Sequence, residues 1–266
     1  MPGDVVTLTK HHGLGNDFLV LLDLDGTRPV GAELARALCD RHRGVGADGV
    51  IRVVRGPDGA DVAMELRNAD GTVAETSGNG LRCLAQAVLD AGVVAGPNLA
   101  VMTGAGLRRL TARRTDDPGV VEVSVEMGPA VVGPDQPQAT ADRGMRTVDM
   151  GNPHLVLWGP CFVTDDVVGL GAQVQVHHPG GVNVEFVTPG PGPDELTVRI
   201  WERGVGETQA CGTGACAAAA AAHEWGLVGP SVTVHQPGGD AFVELRPGSV
   251  VLTGPAERIA RVEVDL

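Results

Sequence analysis

Two short loops in the sequence carry the same arrangement of small residues in front of a helix pattern. One is residues 77–80, in the stretch AETSGNGLRCLAQAV, and the other is residues 211–214, in TQACGTGACAAAAAA. Glycine lets a ligand approach the backbone closely, and free N–H groups at a helix N-terminus bind anions such as a carboxylate. We expect a thiol at such a place to ionise more readily than an ordinary cysteine, because the helix dipole favours negative charge. Cys211 is therefore a candidate thiolate base, and Ser77 is its counterpart in the first loop.

The similarity extends beyond the loops and indicates two similar halves. A shift of 134 residues superimposes the loops and aligns two further pairs of residues, and a shift of 136 aligns GLGNDF (13–18) with DMGNPH (149–154). The aligned pairs are Ser77 with Cys211, Asn68 with Glu202, Gly49 with Asn183, and Asn16 with Asn152. We predict that the halves meet near residues 116–119, where RTDDPG is typical of a turn-rich linker.

A pair of such loops suits one class of reaction. If both loops face one small amino acid, one side chain lies on each face of its α-carbon, which is the layout for removing a proton from one face and returning it on the other. The two helix N-termini would stabilise the carbanion that forms. The alternative is that both loops are ordinary helix caps, with Ser77 as a normal N-cap residue. The matching polar residues around the loops favour the paired site.

The composition narrows the range of functions. The formal net charge of −13 argues against a nucleic-acid partner, because neutralising phosphates requires clustered Lys and Arg. No apolar run approaches ~20 residues and the first residues lack a signal-peptide pattern, so we expect no membrane span and a cytoplasmic protein. Lys10 is the only lysine, which argues against a pyridoxal-phosphate enzyme and against a P-loop protein.

The cysteines indicate neither a disulfide framework nor a metal site. They are Cys39, Cys83, Cys161, Cys211 and Cys216, an odd number without a CxxC pair, and no Cys/His cluster has zinc spacing. We therefore expect free thiols in a reducing compartment, no metal and no cofactor. The neighbouring histidines 11–12 and 177–178 are expected to point apart rather than to share a metal.

The hydrophobic pattern predicts many short strands and few helices. Candidate strands are 4–9, 18–22, 49–55, 61–67, 107–113, 120–126, 154–158, 183–187, 196–201, 231–235, 241–245 and 249–253. Candidate helices are 32–41, 80–91 and 214–225, with Gly92 and Gly226 placed to end the last two. Many strands with isolated helices favour an α+β fold over a doubly wound sheet.

Six longer motifs are spread over nearly the whole chain. They are HGLGNDF (12–18), DRHRGVGADG (40–49), RNADGTVAETSGNGLRC (67–83), MGNPH (150–154), GVNVEFV (181–187) and ERGVGETQACGTGACA (202–217). In this order they resemble the diaminopimelate epimerase family. The resemblance implies an α+β fold with two similar halves of mixed and antiparallel sheet, each wrapped around a central helix, and an active site in the cleft between them. The halves would be 1–116, with 257–266 pairing back onto it, and 117–256.

The resemblance also implies an activity and a set of site residues. Members of the family interconvert LL- and meso-2,6-diaminoheptanedioate, a small diamino dicarboxylic acid of lysine and peptidoglycan biosynthesis, without a cofactor and often as homodimers. The catalytic residues would be Cys211, Ser77, His154 and Glu202. The substrate-binding residues would be Asn16, Gly49, Asn68, Gly78, Asn79, Asn152, Asn183, Glu202, Arg203, Gly212 and Thr213. These types suit the substrate, since Arg binds a carboxylate bidentately and Asn both donates and accepts hydrogen bonds.

The sequence departs from the family at the first catalytic cysteine, which is Ser77. A hydroxyl is far less acidic than a thiol, so Ser77 would donate a proton to a carbanion, or act through a relay, rather than wait as an anion. Cys83 lies further along the helix pattern and is expected to pack in the core. Two alternatives stay open, namely a racemase or epimerase of another amino acid and a catalytically impaired binding homologue.

Two other motifs imitate different families. LVLLDLDGT (19–27) resembles the haloacid dehalogenase phosphatase signature, with Asp23 as the nucleophile and Asp25 as the acid/base, but that chemistry needs a downstream lysine and none follows. GVGADG (44–49) fits the dinucleotide-binding GxGxxG pattern, yet it follows a helix pattern and precedes a strand, which reverses the required order. We expect a strand ending in a polar turn at the first motif.

Overall fold

The computed structural model describes residues 5–137, 144–159, 166–178 and 180–265. Cys161 and the outermost residues of two predicted strands, 4 and 266, lie outside the described residues. The chain divides into two compact units: unit 1 is Met1–Val125 with Gly254–Leu266, and unit 2 is Glu126–Thr253. Residues 116–119, at which the sequence predicts the boundary, form a turn closed by the Val120 N–H and the Asp117 carbonyl group. The predicted limits of the halves, 116 and 257, stay a prediction.

Unit 1 is a mixed sheet packed against a buried helix. Its strands are β1 (Val5–Gly13), β2 (Asn16–Leu22), β3 (Gly49–Arg55), β4 (Val62–Asn68), β5 (Val73–Ala74), β6 (Asn98–Thr103), β7 (Gly106–Arg114) and β8 (Val120–Gly128), and its helices are α1 (Ala32–Cys39) and α2 (Gly78–Asp90). β2 and β3 are parallel and connected through α1, whereas β3 and β4 are antiparallel. α2 contacts β1, β2, β3 and β7.

Unit 2 repeats this arrangement. Its strands are β9 (Val131–Asp135), β10 (Gly144–Asp149), β11 (Pro153–Trp158), β12 (Asn183–Pro189), β13 (Glu195–Glu202), β14 (Gly206–Thr208), β15 (Ser231–Gln236) and β16 (Gly239–Arg246), and its helices are α3 (Val167–Val176) and α4 (Gly212–Glu224). β11 and β12 are parallel, and β12 and β13 are antiparallel. The last strand, β17 (Ser249–Asp265), pairs with β16 through its first residues and with β1 through its later ones.

The register of the strands confirms that the halves are related. Across the parallel pairs and the antiparallel pairs, equivalent positions face each other in both units. The equivalent pairings are Phe18–Gly49 with His154–Asn183, and Ile51–Leu66 with Glu185–Ile200. These positions differ by the same 134 and 136 residues that align the two loops in the sequence. The predicted α+β fold class, with sheet around a central helix in each half, is confirmed.

Both central helices are buried on every side. Residues 78–88 of α2 and 212–222 of α4 are all buried, as expected of a helix in the middle of a core. The alanine run of α4 combines high helix propensity with side chains small enough for sheet to pack closely around it. Gly92 and Gly226 follow the two helices with φ of 67° and 72°, the left-handed conformation predicted for them.

Several elements go beyond the sequence pattern. β5, β6, β9, β10, β14 and α3 are not among the predicted elements. α3 has the sequence VVGLGAQVQV, whose glycines and valines are poor helix formers, so its helix depends on tertiary packing. α1 ends at Cys39, earlier than expected, because the Asp40 carboxylate accepts the His42 and Arg43 N–H groups. Within the described ranges, no helix has the length and apolar character needed to span a bilayer.

Candidate active site

Cys211 lies at the N-terminus of α4. It is the N-cap residue, with extended backbone (φ −128°, ψ 121°) and only 7% exposure. Its N–H donates to Gln236 Oε1 at 2.9 Å, and its Sγ lies 3.4 Å from Thr213 Oγ1. The side chain makes no capping hydrogen bond to the helix. The sulfur is therefore held next to helix N–H groups that have no intrahelical partner.

The ionisation predicted for this thiol is wrong. Burial raises the pKa of Cys211 well above its ordinary value, and the nearby Glu202 carboxylate raises the pKa further. The hydrogen bond from the Thr213 hydroxyl and the nearby Gly214 N–H act in the opposite direction but are outweighed. Desolvation therefore dominates over the helix N-terminus, and Cys211 is a neutral thiol near pH 7 until a neighbouring group takes its proton.

Glu202 is the group placed to take that proton. Its carboxyl group hydrogen-bonds the Cys211 thiol, and Thr208 Oγ1 donates to Glu202 Oε1 at 2.6 Å. Burial raises the pKa of Glu202, so this carboxylate binds a proton more tightly than an ordinary glutamate does. A carboxylate with a raised pKa, in contact with a thiol, suits a general base.

His154 is buried at the start of β11 and is hydrogen-bonded through both ring nitrogens. Nδ1 lies 2.7 Å from Glu185 Oε1, and Nε2 lies 3.0 Å from Asn152 Oδ1. Asn152 Nδ2 in turn lies 3.5 Å from Thr213 Oγ1, which adjoins the Cys211 sulfur. A continuous chain of side chains thus connects Glu185 with Cys211. Glu185 is absent from the predicted residues, and its sequence signal is a single acid inside the apolar strand NVEFVTP.

Asn183 and Arg203 complete the polar residues of this half-site. Asn183 Oδ1 accepts the Arg203 N–H at 2.9 Å, which fixes the backbone directly after Glu202. The Arg203 guanidinium is exposed and donates to the Gly180 carbonyl group at 3.2 Å. A guanidinium has five N–H donors, so this contact leaves enough of them for a carboxylate.

Ser77 is the N-cap residue of α2. Its backbone is extended (φ −149°, ψ 125°), and its Oγ accepts the Gly80 N–H at 3.0 Å. Ser77 is thus a normal cap, as one reading of the sequence predicts, in the position that Cys211 holds in unit 2. Capping uses a lone pair of the oxygen, so the hydroxyl hydrogen is still available for donation.

Asn16 and Asn79 lie together beside the Ser77 loop. Asn79 Nδ2 donates to Asn16 Oδ1 at 3.2 Å, and Asn16 Nδ2 donates to Asp48 Oδ2 at 2.8 Å. Arg82, fully buried in α2, donates to Asn79 Oδ1 at 2.6 Å. Asp48 and Arg82 are therefore orienting residues that the sequence reasoning misses.

Gly49 and Asn68 face each other across β3 and β4. Asn68 Nδ2 donates to Thr72 Oγ1 at 3.0 Å. A Cβ at position 49 would lie 2.7 Å from the Arg67 carbonyl oxygen and 3.2 Å from the Phe18 ring. Position 49 therefore offers a ligand only its backbone.

The two half-sites differ in their titratable groups. The equivalent positions, unit 1 first, are Phe18 and His154, Ile51 and Glu185, Asn68 and Glu202, and Ser77 and Cys211. Each of these positions has an acid or base in unit 2 and a residue that does not titrate near neutral pH in unit 1. At these four positions, the groups that can transfer a proton near neutral pH therefore lie in unit 2.

The structure also accounts for the motifs that imitate other families. Asp23 accepts the Thr27 and Arg28 N–H groups and pairs with Arg52 at 2.7 Å, so it closes a turn after β2, as expected. GVGADG lies between α1 and β3, the reverse of a dinucleotide site. In the part of the chain that the structure describes, no group of three His, Cys, Asp or Glu residues could hold a metal ion.

The fold is shared with solved structures of the racemase and epimerase class. A hydroxyproline epimerase from Agrobacterium vitis superimposes with a TM-score of 0.74 at 20% identity, covering 100% of this chain and 94% of that one. A predicted epimerase from Pseudomonas aeruginosa has a TM-score of 0.75 at 17% identity, covering 97% and 99%. At these identities the likeness establishes the fold alone.

The family follows from closer similarities. The diaminopimelate epimerase family model matches residues 8–133 and 146–259. Diaminopimelate epimerases from Desulfitobacterium hafniense and Heliobacterium modesticaldum are 41% and 39% identical, over 94% and 97% of this chain and 94% and 99% of theirs. The chain belongs to the diaminopimelate epimerase family, as its motifs predict.

Proposed function

We propose that the protein is an isomerase that interconverts LL- and meso-2,6-diaminoheptanedioate by removing and returning the proton at one α-carbon, without a cofactor, in lysine and peptidoglycan precursor biosynthesis. Two diaminopimelate epimerases match nearly the full chain at 39–41% identity. The observation that carries the proposal is the Cys211 half-site, in which a thiol adjoins a general base and a helix N-terminus.

In this proposal Cys211 removes the α-proton. Glu202 first accepts the thiol proton through the hydrogen bond between them. The thiolate that remains is held by the Thr213 hydroxyl and the Gly214 N–H. Because burial raises the pKa of Cys211, this thiolate is a stronger base than an exposed one, and a strong base suits a weakly acidic α-hydrogen.

Ser77 returns a proton on the other face of the carbon. A hydroxyl does not ionise near neutral pH, but a carbanion is a strong enough base to take its hydrogen. The Gly80 N–H, 3.0 Å from Ser77 Oγ, stabilises the oxygen after it has donated. Solvent then restores the hydroxyl.

The proposed substrate contacts follow the same division. The helix N-termini at Gly78 and Asn79 and at Gly212 and Thr213 bind the α-carboxylate and favour the negative charge that develops at the carbon. Arg203 suits the distal carboxylate. The asparagine side chains donate to carboxylates and accept from ammonium groups, and they are Asn16, Asn68, Asn152 and Asn183.

NMR of LL-diaminopimelate with the protein in deuterium oxide tests the function. We expect the α-hydrogen signal to disappear and the meso isomer to form. The matched variant Cys211→Ala should lose exchange by at least ~10²-fold, since a positioned base contributes that much. Binding without exchange in the unaltered protein would contradict the proposal and favour a binding homologue. Exchange of another diamino acid in preference to diaminopimelate would favour the alternative substrate.

The proposal extends to location and assembly. The sequence pattern favours the cytoplasm, and a homodimer is proposed because members of the family often form one. Light scattering behind gel filtration measures the mass in solution, and a monomer of 27.3 kDa would contradict the dimer.

A further inference from the structure

Glu185 occupies a position that is aliphatic in the other half. Both positions lie beside the glycine in the first turn of the central helix. A Cβ on Gly80 would lie 3.2 Å from Ile51 Cδ1, and a Cβ on Gly214 would lie 2.8 Å from Glu185 Oε1. The same strand pairing and helix packing therefore form with an isoleucine, so packing alone does not demand a carboxyl group there.

The environment of Glu185 is one in which a carboxyl group is unfavourable. Its exposed fraction is 0%, and its Oε2 has no hydrogen-bond partner among the described residues. Burying an ionisable group with an unsatisfied oxygen destabilises a fold. The polar partner that it does have is Nδ1 of His154, at 2.7 Å, and the residue equivalent to His154 in unit 1 is Phe18. The acid and the imidazole of unit 2 thus occupy, as a pair, the positions that two apolar residues hold in unit 1.

The hydrogen bonds that connect the Glu185–His154 pair with Cys211 all run from donor to acceptor in one direction. Asn152 Oδ1 can only accept a hydrogen bond, so His154 Nε2, 3.0 Å away, carries a hydrogen. The 2.7 Å contact between His154 Nδ1 and Glu185 Oε1 then needs a second hydrogen, on one of these two atoms, and burial, which raises the pKa of Glu185, favours holding it there. The Asn152 amide then directs its N–H toward Thr213 Oγ1, and the Thr213 hydroxyl hydrogen is left for the Cys211 sulfur.

We propose that Glu185 is a positioning residue for Cys211: through His154 it orients the Asn152 amide and the Thr213 hydroxyl so that the chain donates a hydrogen bond to the thiolate. The inference rests on the proposed function, since it assigns Cys211 as the base. It adds a residue that touches neither the substrate nor the sulfur and acts through three intervening side chains.

Two variants and a matched control test the inference. Glu185→Ile installs the residue found at position 51 and removes the hydrogen bond that fixes the His154 ring, so the Asn152 amide and the Thr213 hydroxyl lose their fixed orientation. Glu185→Gln keeps that orientation, because the glutamine amide N–H donates to His154 Nδ1 as a protonated carboxyl group does, and the ring keeps its hydrogen on Nε2. Ile51→Val is the control, because it alters the equivalent position in unit 1.

The first measurement is the rate at which iodoacetamide alkylates Cys211 at pH 7.5, followed by mass spectrometry of its peptide. The rate is proportional to the thiolate fraction. We expect Glu185→Ile to slow alkylation by at least ~10-fold, whereas Glu185→Gln and the control should change it by less than about threefold. Equal rates in the unaltered protein and in folded Glu185→Ile, or a slow rate in folded Glu185→Gln, would overturn the inference.

The second measurement is made on the unaltered protein. In ¹⁵N-histidine NMR at pH 8, the His154 Nε2 should carry a hydrogen in the unaltered protein, with its signal assigned by its loss in His154→Phe. An unprotonated Nε2 would overturn the inference. Neither measurement uses a substrate, so both can succeed while the exchange assay fails. That combination would contradict the proposed function and leave the positioning of Cys211 intact.

Discussion

Replacing Ser77 by cysteine should make the protein less stable and faster. The Ser77 Oγ accepts the Gly80 N–H at 3.0 Å and caps α2, whereas Cys211, at the equivalent position, makes no capping bond. Losing an N-cap hydrogen bond costs about 1 kcal/mol. For a protein of this length, that corresponds to a fall of roughly 2–4 °C in the melting temperature. The fold tolerates the thiol, since it already contains one at the other cap.

The gain in rate comes from acidity. A thiol, with a reference pKa of ~8.5, donates a proton far more readily than a hydroxyl does. Positioned acid–base groups raise reaction rates by about 10²–10⁴-fold. Phe18 and Ile51 leave the Ser77 half-site without the acid and base neighbours that Cys211 has. We therefore expect epimerase turnover to rise by about 10- to 100-fold, which is at or below the lower end of that range.

The assay is the initial rate of meso isomer formation, with calorimetry on the same samples and Ser77→Ala as the control. The alanine variant should lose the same stability and should also lose inversion, because it lacks both the cap and the donor. A cysteine variant that is no faster than the unaltered protein would refute the assignment of Ser77 as the proton donor.

Two further predictions concern the scaffold. The hydrogen bond from Arg146, followed by that from Trp225, lowers the pKa of Asp135 to about 2, so this carboxylate stabilises the fold above its unfolded pKa of ~3.9 and the contribution is lost as the pH falls through about 2. Trp225 fluorescence should therefore change in that acid range, and an unchanged transition in Asp135→Asn would contradict the contact. Gly49→Ala should lower the melting temperature by several degrees, because its Cβ would lie 2.7 Å from a backbone oxygen, whereas Gly31→Ala, with no atom within 4 Å, should not. Calorimetric curves that do not distinguish the two would contradict the close packing at β3.

Much of the scaffold could be predicted from local signals. Residues 78–90 and 212–224 begin at small polar caps and end before glycines with positive φ, so their pattern predicts helices directly. α3 could not be found in this way, since glycine and valine disfavour an isolated helix and the helix depends on its neighbours. The short strand β14 is likewise defined by pairing with β13 rather than by its own residues.

The residue types of the proposed site could be read from the sequence, and their electrostatics could not. The two caps and the asparagines follow from the repeat and the motifs. The pKa of Cys211 does not, because burial and the neighbouring carboxylates outweigh the helix N-terminus, and neither depends on local sequence. Glu185 escapes detection for a related reason. Its partner His154 is distant in sequence, and only the parallel pairing of β11 with β12 brings them together.

The central claim is that a thiol and a hydroxyl, one from each repeat, exchange protons with a single carbon. The most direct test follows the isotope in the first turnovers. LL-diaminopimelate is incubated briefly with the protein in deuterium oxide. The two isomers are then separated, and the deuterium content of each is measured by mass spectrometry. Two separate acid–base groups should give a meso product that carries one deuterium while the residual LL pool carries none. Deuterium in the LL pool without any meso product would mean that Cys211 works alone on one face, and it would contradict the claim.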